Sequence, residues 1–291
     1  MRSLKESILS RSSHSGESFK AQRRNEIEKW LKEYDVKNYT INNDFTIDVD
    51  GDVNLVRKNL MEFPDYIQFG IVKGDFNCSY NQLTTLKGSP IEVKDSFYCH
   101  NNRLTSLEGS PEKVKVRFQC DNNQLTSLKG APKEVGWGFN CSYNKLTSLK
   151  EAPKKIKGDL YCSNNLLTSL TGAPKEVEGD FNCSFNKLTS LEGAPENVGG
   201  VFNCSYNDIV SLEGAPEKVG EKFDCNYNQL TSLEGAPENV GGNFYCHKNN
   251  LTSLKGAPKK VEGIFDCSKN TKSFTKREVK RVCYVEKAIT I

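Results

Sequence analysis

The sequence has no apolar run near the roughly 20 residues that a membrane-crossing helix needs, which argues against membrane insertion. Its opening segment, MRSLKESILSRSSHS, lacks the apolar core of a secretory leader. Histidine is scarce at three residues, with two methionines and two tryptophans. Zinc centres want close Cys or His ligand pairs, and His14, His100 and His247 are scattered. No P-loop, no G-x-S-x-G and no H-E-x-x-H occurs. The chain therefore reads as non-enzymatic, with no catalytic residue, metal or cofactor assigned. Charge of one sign is also missing: the net value is +3, with +3 in residues 1–30, +4 in residues 272–291 and −4 between them. Mildly acidic over the middle, the chain does not carry the basic stripe that nucleic acid requires.

Cysteine is what the chain has in abundance, eleven in 291 residues. Ten of them, Cys78, Cys99, Cys120, Cys141, Cys162, Cys183, Cys204, Cys225, Cys246 and Cys267, recur every 21 residues without a slip. An aromatic stands two places before each, from Phe76 to Phe265, with Leu160 the exception. An asparagine stands three places after each: Asn81, Asn102, Asn123, Asn144, Asn165, Asn186, Asn207, Asn228, Asn249 and Asn270. A fixed period of this size marks a solenoid, in which each turn buries its core only against its neighbours.

Within a turn, Phe139 and Cys141 alternate with Asn140 and Ser142, the period of a half-buried strand. Leu146 and Leu149 add a second apolar pair. Stacking in register at about 4.8 Å predicts one parallel sheet and an array roughly 45–50 Å long. The cysteines read as narrow buried hydrophobes, and without a leader as reduced thiols of a cytosol-like compartment. Asparagine at the strand end can serve both amide and carbonyl groups where the backbone bends. The fold class expected is a β-rich solenoid of about ten 21-residue turns with helical caps at both ends.

Four segments follow. Residues 1–18 read as a flexible tail, with Ser3 and Glu6 at capping-box spacing and a serine-rich linker after position 10. Residues 19–72 read as an N-terminal cap: a helix carrying Phe19, Ile27, Trp30, Leu31 and Tyr34 on one face, a hairpin, and a worn repeat with Val53, Leu55, Leu60 and Phe63. Asp48, Asp50 and Asp52 sit in a hairpin turn rather than at calcium-loop spacing. Residues 73–270 are the solenoid. Residues 271–291 should close it with a helix opened by Thr275 and Glu278, leaving Cys283 as the most exposed thiol.

The spacing F-x-C-x-x-N-x-L-x-x-L resembles the L-x-L-x-x-N-x-L-x-x-L core of the leucine-rich repeat, with cysteine where leucine is usual. The unit FNCSYNKLTSLxGAPxxV is similar to arrays in proteins of tailed bacteriophages and their bacterial hosts. The segments SLKESILS and NYTINNDFTIDVDGDVNL resemble those that accompany such arrays. The resemblance implies a leucine-rich-repeat fold, a setting in the cytoplasm of a bacterial host, and a partner that is a host factor or another virion component.

Function should lie on the outward strand positions, where the repeats disagree. Before each cysteine the column reads Asn77, Tyr98, Gln119, Asn140, Tyr161, Asn182, Asn203, Asp224, Tyr245, Asp266. Two places after, it reads Tyr80, Asn101, Asn122, Tyr143, Asn164, Phe185, Tyr206, Tyr227, Lys248, Lys269. Eight repeats carry one aromatic, in one column or the other and never both. Tyrosine beside asparagine and serine is the chemistry of antibody paratopes. The candidate binding residues are Tyr80, Tyr98, His100, Tyr143, Tyr161, Tyr206, Tyr227, Tyr245 and His247 on a concave sheet face. The reading is a monomeric protein-interaction module, with a glycan partner as the alternative.

Overall fold

In the computed structural model the backbone is described from Arg2 to Ile291 and the side chains from Glu17 onward. The expected Ser3–Glu6 capping pair lies outside the described side chains. A first helix, α1, spans Arg2–Glu33 and is continuous through residues 10–18, where serine content pointed to a linker. At its C-terminal end Ile27, Trp30 and Leu31 are buried, whereas Phe19 stays 56% exposed. Trp30 packs edge-on against Phe63 and Phe69, both at 6.2 Å, and Phe69 continues to Phe76 at 5.1 Å. The helix end thus seals the apolar interior of the first turns.

The hairpin pairs Tyr39–Ile41 with Ile47–Val49 antiparallel. Asp48 Oδ1 accepts the Ile71 N–H at 2.7 Å and Asp52 Oδ1 the Asp75 N–H at 2.9 Å. Asp48 thus lies in the second strand of the hairpin and Asp52 beyond it, not in the hairpin turn expected for Asp48, Asp50 and Asp52, and their carboxylates stitch this segment to the next turn. Val53–Asn54 then pairs with Phe76–Asn77, which makes residues 53–72 a structural turn despite the worn sequence.

From there every turn lays its short strand beside the last. The result is a twelve-stranded sheet from Val53–Asn54 to Ala288–Thr290, with Phe on Phe in register except beside Leu160 and at the two end strands. Where the spacing predicts one parallel sheet, the structure has three. The return path is also paired, through two-residue strands such as Glu92–Val93 and Glu134–Val135. They form a seven-stranded sheet ending at Lys155–Ile156 and a six-stranded sheet restarting at Glu176–Val177. Two-residue strands show no alternation in sequence, so they carry no period-2 signal.

Between the ladders a typical turn buries one Phe, one Cys, two Leu and one Val, with Leu160, Ile156 and Ile209 as apolar replacements. The phenylalanines stack at 5.2–5.6 Å from Phe76 to Phe139 and from Phe181 to Phe265, interrupted by Leu160. With rings touching on both sides, truncating one to Ala belongs to the 3–5 kcal/mol class, about 4 kcal/mol. At the turn after the second leucine, Gly130 has φ +88, and a Cβ there would lie 2.5 Å from Leu107 backbone atoms. Glycine is required by both conformation and space.

Asparagine joins the turns as expected. Asn144 Nδ2 donates to the Cys141 carbonyl of its own turn and to the Cys120 carbonyl of the turn before, both at 3.1 Å. Its Oδ1 accepts the Leu125 N–H at 2.9 Å. The same set recurs at Asn207 and Asn228.

The C-terminal end follows the capping reading and then departs from it. Helix α2, Lys276–Val282, opens on Thr275 with a capping box to Glu278. After it the chain adds Tyr284–Val285 to the return sheet and Ala288–Thr290 to the twelve-stranded sheet, so strands as well as a helix close the stack. Phe274, only 4% exposed, supplies apolar bulk in the turn where Lys272 and Thr275 replace the leucines. Cys283 is buried at 3%, not exposed, because the helix and the last strands fold over it.

Candidate interaction face

The twelve-stranded sheet presents two outward columns, and the backbone treats them differently. Residues before the cysteine lie in the strand, and Tyr98, Tyr161 and Tyr245 there are half-buried. Those two places after it, Tyr80 through Lys269, all adopt left-handed conformations with φ between 52° and 56°. Asparagine enters this region readily, but tyrosine, phenylalanine and lysine do so at a cost of roughly 1–2 kcal/mol each. Their side chains point away from the core: Tyr80, Tyr143, Phe185 and Tyr206 are 47%, 56%, 48% and 39% exposed.

The structure brings some candidate residues together and leaves others apart. Phe185, Tyr206 and Tyr227 form one stack, with ring centroids 4.2 and 4.1 Å apart and planes within 14°. The Lys248 ammonium lies 4.3 Å from the centroid of Tyr227 and hydrogen-bonds to its hydroxyl. That contact lowers the Tyr227 pKa, whereas the hydrogen bond with Tyr227 raises that of Tyr206. Phe185, Lys248, Tyr206 and Tyr227 line a shallow depression of about 620 Å³ with Asp208 and Gln229. Phe185 and Lys248 were not among the candidate residues. Their place in the same column was the available signal.

His100 and His247 occupy equivalent settings. Each ring meets the tyrosine of the preceding turn edge-on, Tyr80 at 5.3 Å and Tyr227 at 6.0 Å, and its own turn's Tyr98 or Tyr245 at 6.2 and 6.1 Å. His247 Nδ1 lies 3.4 Å from Asp266 Oδ2. Burial lowers the His100 pKa, opposed by the carboxylate of Asp121. Arg57 stacks over Tyr80 at 5.0 Å and extends that cluster into the worn first turn. Tyr143 has no aromatic neighbour in its column, and shares a depression of about 270 Å³ with Tyr161, Ser142 and Asn182.

The cysteine ladder lies on the opposite side of the strand. Cys78, Cys120, Cys162, Cys183, Cys204, Cys225 and Cys246 each donate a thiol hydrogen bond to a carbonyl of the next turn at 3.3–3.4 Å. Burial pushes the thiols of Cys78 and Cys141 up to about 12. The thiolate is the reactive species, so these sulfurs act as packing and as weak donors. Among the described residues no group of three or more His, Cys, Asp or Glu is placed to hold a metal ion, and no helix is long and apolar enough to cross a membrane.

Stacked 21-residue turns with an asparagine ladder define a leucine-rich-repeat-like β-solenoid. Among solved structures, YopM from Yersinia enterocolitica WA-314 is similar, with a TM-score of 0.56 at 24% identity over 75% of this chain. The match takes in 47% of that protein, so this chain corresponds to about half of its length. At this identity the likeness is one of fold. No protein-family model matches, and no curated protein sequence matches.

Proposed function

We propose that this protein is a non-catalytic interaction module that binds a protein partner through the outward columns of its twelve-stranded sheet. The observation that carries the reading is the left-handed column. Five turns place Tyr or Phe in a conformation that asparagine or glycine would adopt more cheaply, and four of those rings are 39–56% exposed. Backbone cost at an exposed position points to a use for the side chain. Large rigid rings beside Ser, Asn and Gln supply contact area with little rotamer entropy to lose. Tyr80, Tyr98, His100, Tyr143, Tyr161, Tyr206, Tyr227, Tyr245 and His247 are the proposed contacts, with Phe185 and Lys248 added.

A glycan is the weaker occupant. Sugar rings lie on open aromatic faces, and both faces of Tyr206 are covered by Phe185 and Tyr227. On the resemblance alone, the setting proposed is the cytoplasm of a bacterial host, the protein acting as a monomer. The working boundaries are residues 19–72 for the N-terminal cap, 73–270 for the solenoid and 271–291 for the C-terminal cap.

Two triple variants test the reading by affinity capture from the host followed by binding measurements on the purified partner. Replacing Phe185, Tyr206 and Tyr227 by alanine should abolish capture while circular dichroism is unchanged. Replacing Tyr98, Tyr161 and Tyr245 should weaken it. Full capture by both variants would rule out this face.

A further inference from the structure

The repeats depart from their own pattern in several columns at once between Trp137 and Tyr161. Leu160 interrupts the phenylalanine stack, Glu151 takes the turn position that glycine holds elsewhere, with φ 68, and the return sheet breaks after Ile156. In the column just before each core aromatic, Asp75, Ser96 and Arg117 are followed by Gly138, then by Asp159 and Asp180. Gly138 is the only glycine in that column. It pairs in register with Arg117, and a Cβ added to it would meet nothing closer than the Asp159 carbonyl at 3.6 Å. A side chain would fit there, and none is present.

The missing side chain opens a cavity of about 220 Å³, lined by Arg117, Gln119, Phe139, Asn140, Asp159 and Tyr161. Its two ends carry opposite charge. Asp159 Oδ1 accepts the Asp180 N–H at 3.0 Å and Asp180 Oδ1 the Val201 N–H at 2.8 Å, which fixes both carboxylates by the backbone. The Tyr161 hydroxyl donates to Asp180 Oδ2 at 3.4 Å. Burial and these two carboxylates raise the pKa of Tyr161, so the hydroxyl stays protonated. Among the described residues neither Arg117, Asp159 nor Asp180 has an oppositely charged side chain within the 4.0 Å of an ion pair. Elsewhere on the surface such pairs are common, as at Lys129–Glu108 and Lys175–Glu196.

We propose that this notch binds a compact zwitterion of the amino-acid type, with its carboxylate on Arg117 and its ammonium on Asp159. Gln119, Asn140 and the Tyr161 hydroxyl offer further hydrogen bonds along the floor. Arg117 and Asp159 stand two strands apart, about 9.6 Å. The cavity of about 220 Å³ suits an α- or β-amino acid and is too small for a long dipolar chain. A few precisely placed polar groups are what fix the orientation of a small molecule in its site. This inference shares Tyr161 with the protein-interaction reading but does not rest on it, since its test reads small-molecule binding with no protein partner present.

The test is calorimetric titration of the full chain with glycine and β-alanine, and with acetate and methylammonium as singly charged controls. Fluorescence of Trp137, exposed next to Gly138, gives a second signal. A zwitterion should saturate the site at least tenfold more tightly than either control. Gly138→Asp restores the side chain that Asp159 and Asp180 carry in the same column. It should abolish binding with an unchanged urea midpoint, and Arg117→Gln and Asp159→Asn should each weaken binding at least tenfold. Equal affinity for acetate or methylammonium, no saturation by either zwitterion, or full binding by Gly138→Asp would overturn the proposal.

Discussion

The first five cysteine turns and the last five share their interior but not their left-handed column. In the first half the column runs Tyr80, Asn101, Asn122, Tyr143, Asn164, so a residue suited to the conformation separates the rings. In the second it runs Phe185, Tyr206, Tyr227, Lys248, Lys269, with no asparagine. There the rings stack at 4.1–4.2 Å and end on an ammonium group. Identical backbone geometry therefore carries isolated aromatics in one half and a continuous rigid ridge in the other. The interior determines that turns stack, and the outer column determines what each part of the face can touch.

The largest effect tests the shared part of that comparison. Asn144→Ala and Asn207→Ala each remove one acceptor and the donors to two cysteine carbonyls. Each should cost about 3 kcal/mol, the upper range for unsatisfied buried groups. Urea melts should give equal losses, and a clear inequality would break the equivalence of the halves.

A smaller effect sharpens the difference. Tyr143→Asn relieves the left-handed backbone at a ring with no stacking partner, and should stabilise by about 1 kcal/mol. Tyr206→Asn gains the same relief but loses two stacked neighbours worth about 1 kcal/mol each. It should come out neutral or destabilising in the same melts. Stabilisation by both would mean that the ridge contributes nothing to the fold.

The smallest effect concerns the capping box of the C-terminal cap. Hydrogen bonds from Lys272 and from the Thr275 backbone and hydroxyl depress Glu278 to about 2 from its ordinary 4.5. A depressed carboxylate contributes stability above its unfolded pKa, which is lost as pH falls toward the folded value. The protection of α2 amides against hydrogen exchange, relative to the intrinsic rate at each pH, should therefore fall between about pH 4.5 and 2, and Glu278→Gln should remove that loss of protection. An unchanged profile in the variant would exclude Glu278 as the titrating group.

The sequence disclosed most where a side chain had one job. Phe, Cys, Leu and Asn at fixed spacing were readable as an inward ladder because nothing else explains a period held through ten turns. The return strands were not readable, since Glu92–Val93 is too short to alternate. Cys283 was misjudged because its burial depends on α2 and the final strands folding back over it. The left-handed column was hidden for a different reason. Asparagine at positions 101, 122 and 164 signals that conformation, but tyrosine and phenylalanine in the same place do not. The notch at Gly138 showed only as one glycine among 22, and became meaningful once Arg117 and Asp159 stood on either side of it.

The asparagine ladder also sets the unit in which this molecule can change length. Each Asn serves a leucine amide and a cysteine carbonyl of the turn before it, so every interior junction is chemically the same junction. Duplicating or deleting 21 residues in the array recreates a junction that already exists. Adding or removing any other number leaves an amide and a carbonyl unmatched at the seam. Identical segments two whole turns apart, GAPENVGG at residues 193–200 and again at 235–242, are copies spaced by a multiple of the same unit. Physical bonding and genetic copying thus share one quantum, and the reach of the binding face can grow or shrink by whole turns while both caps stay as they are.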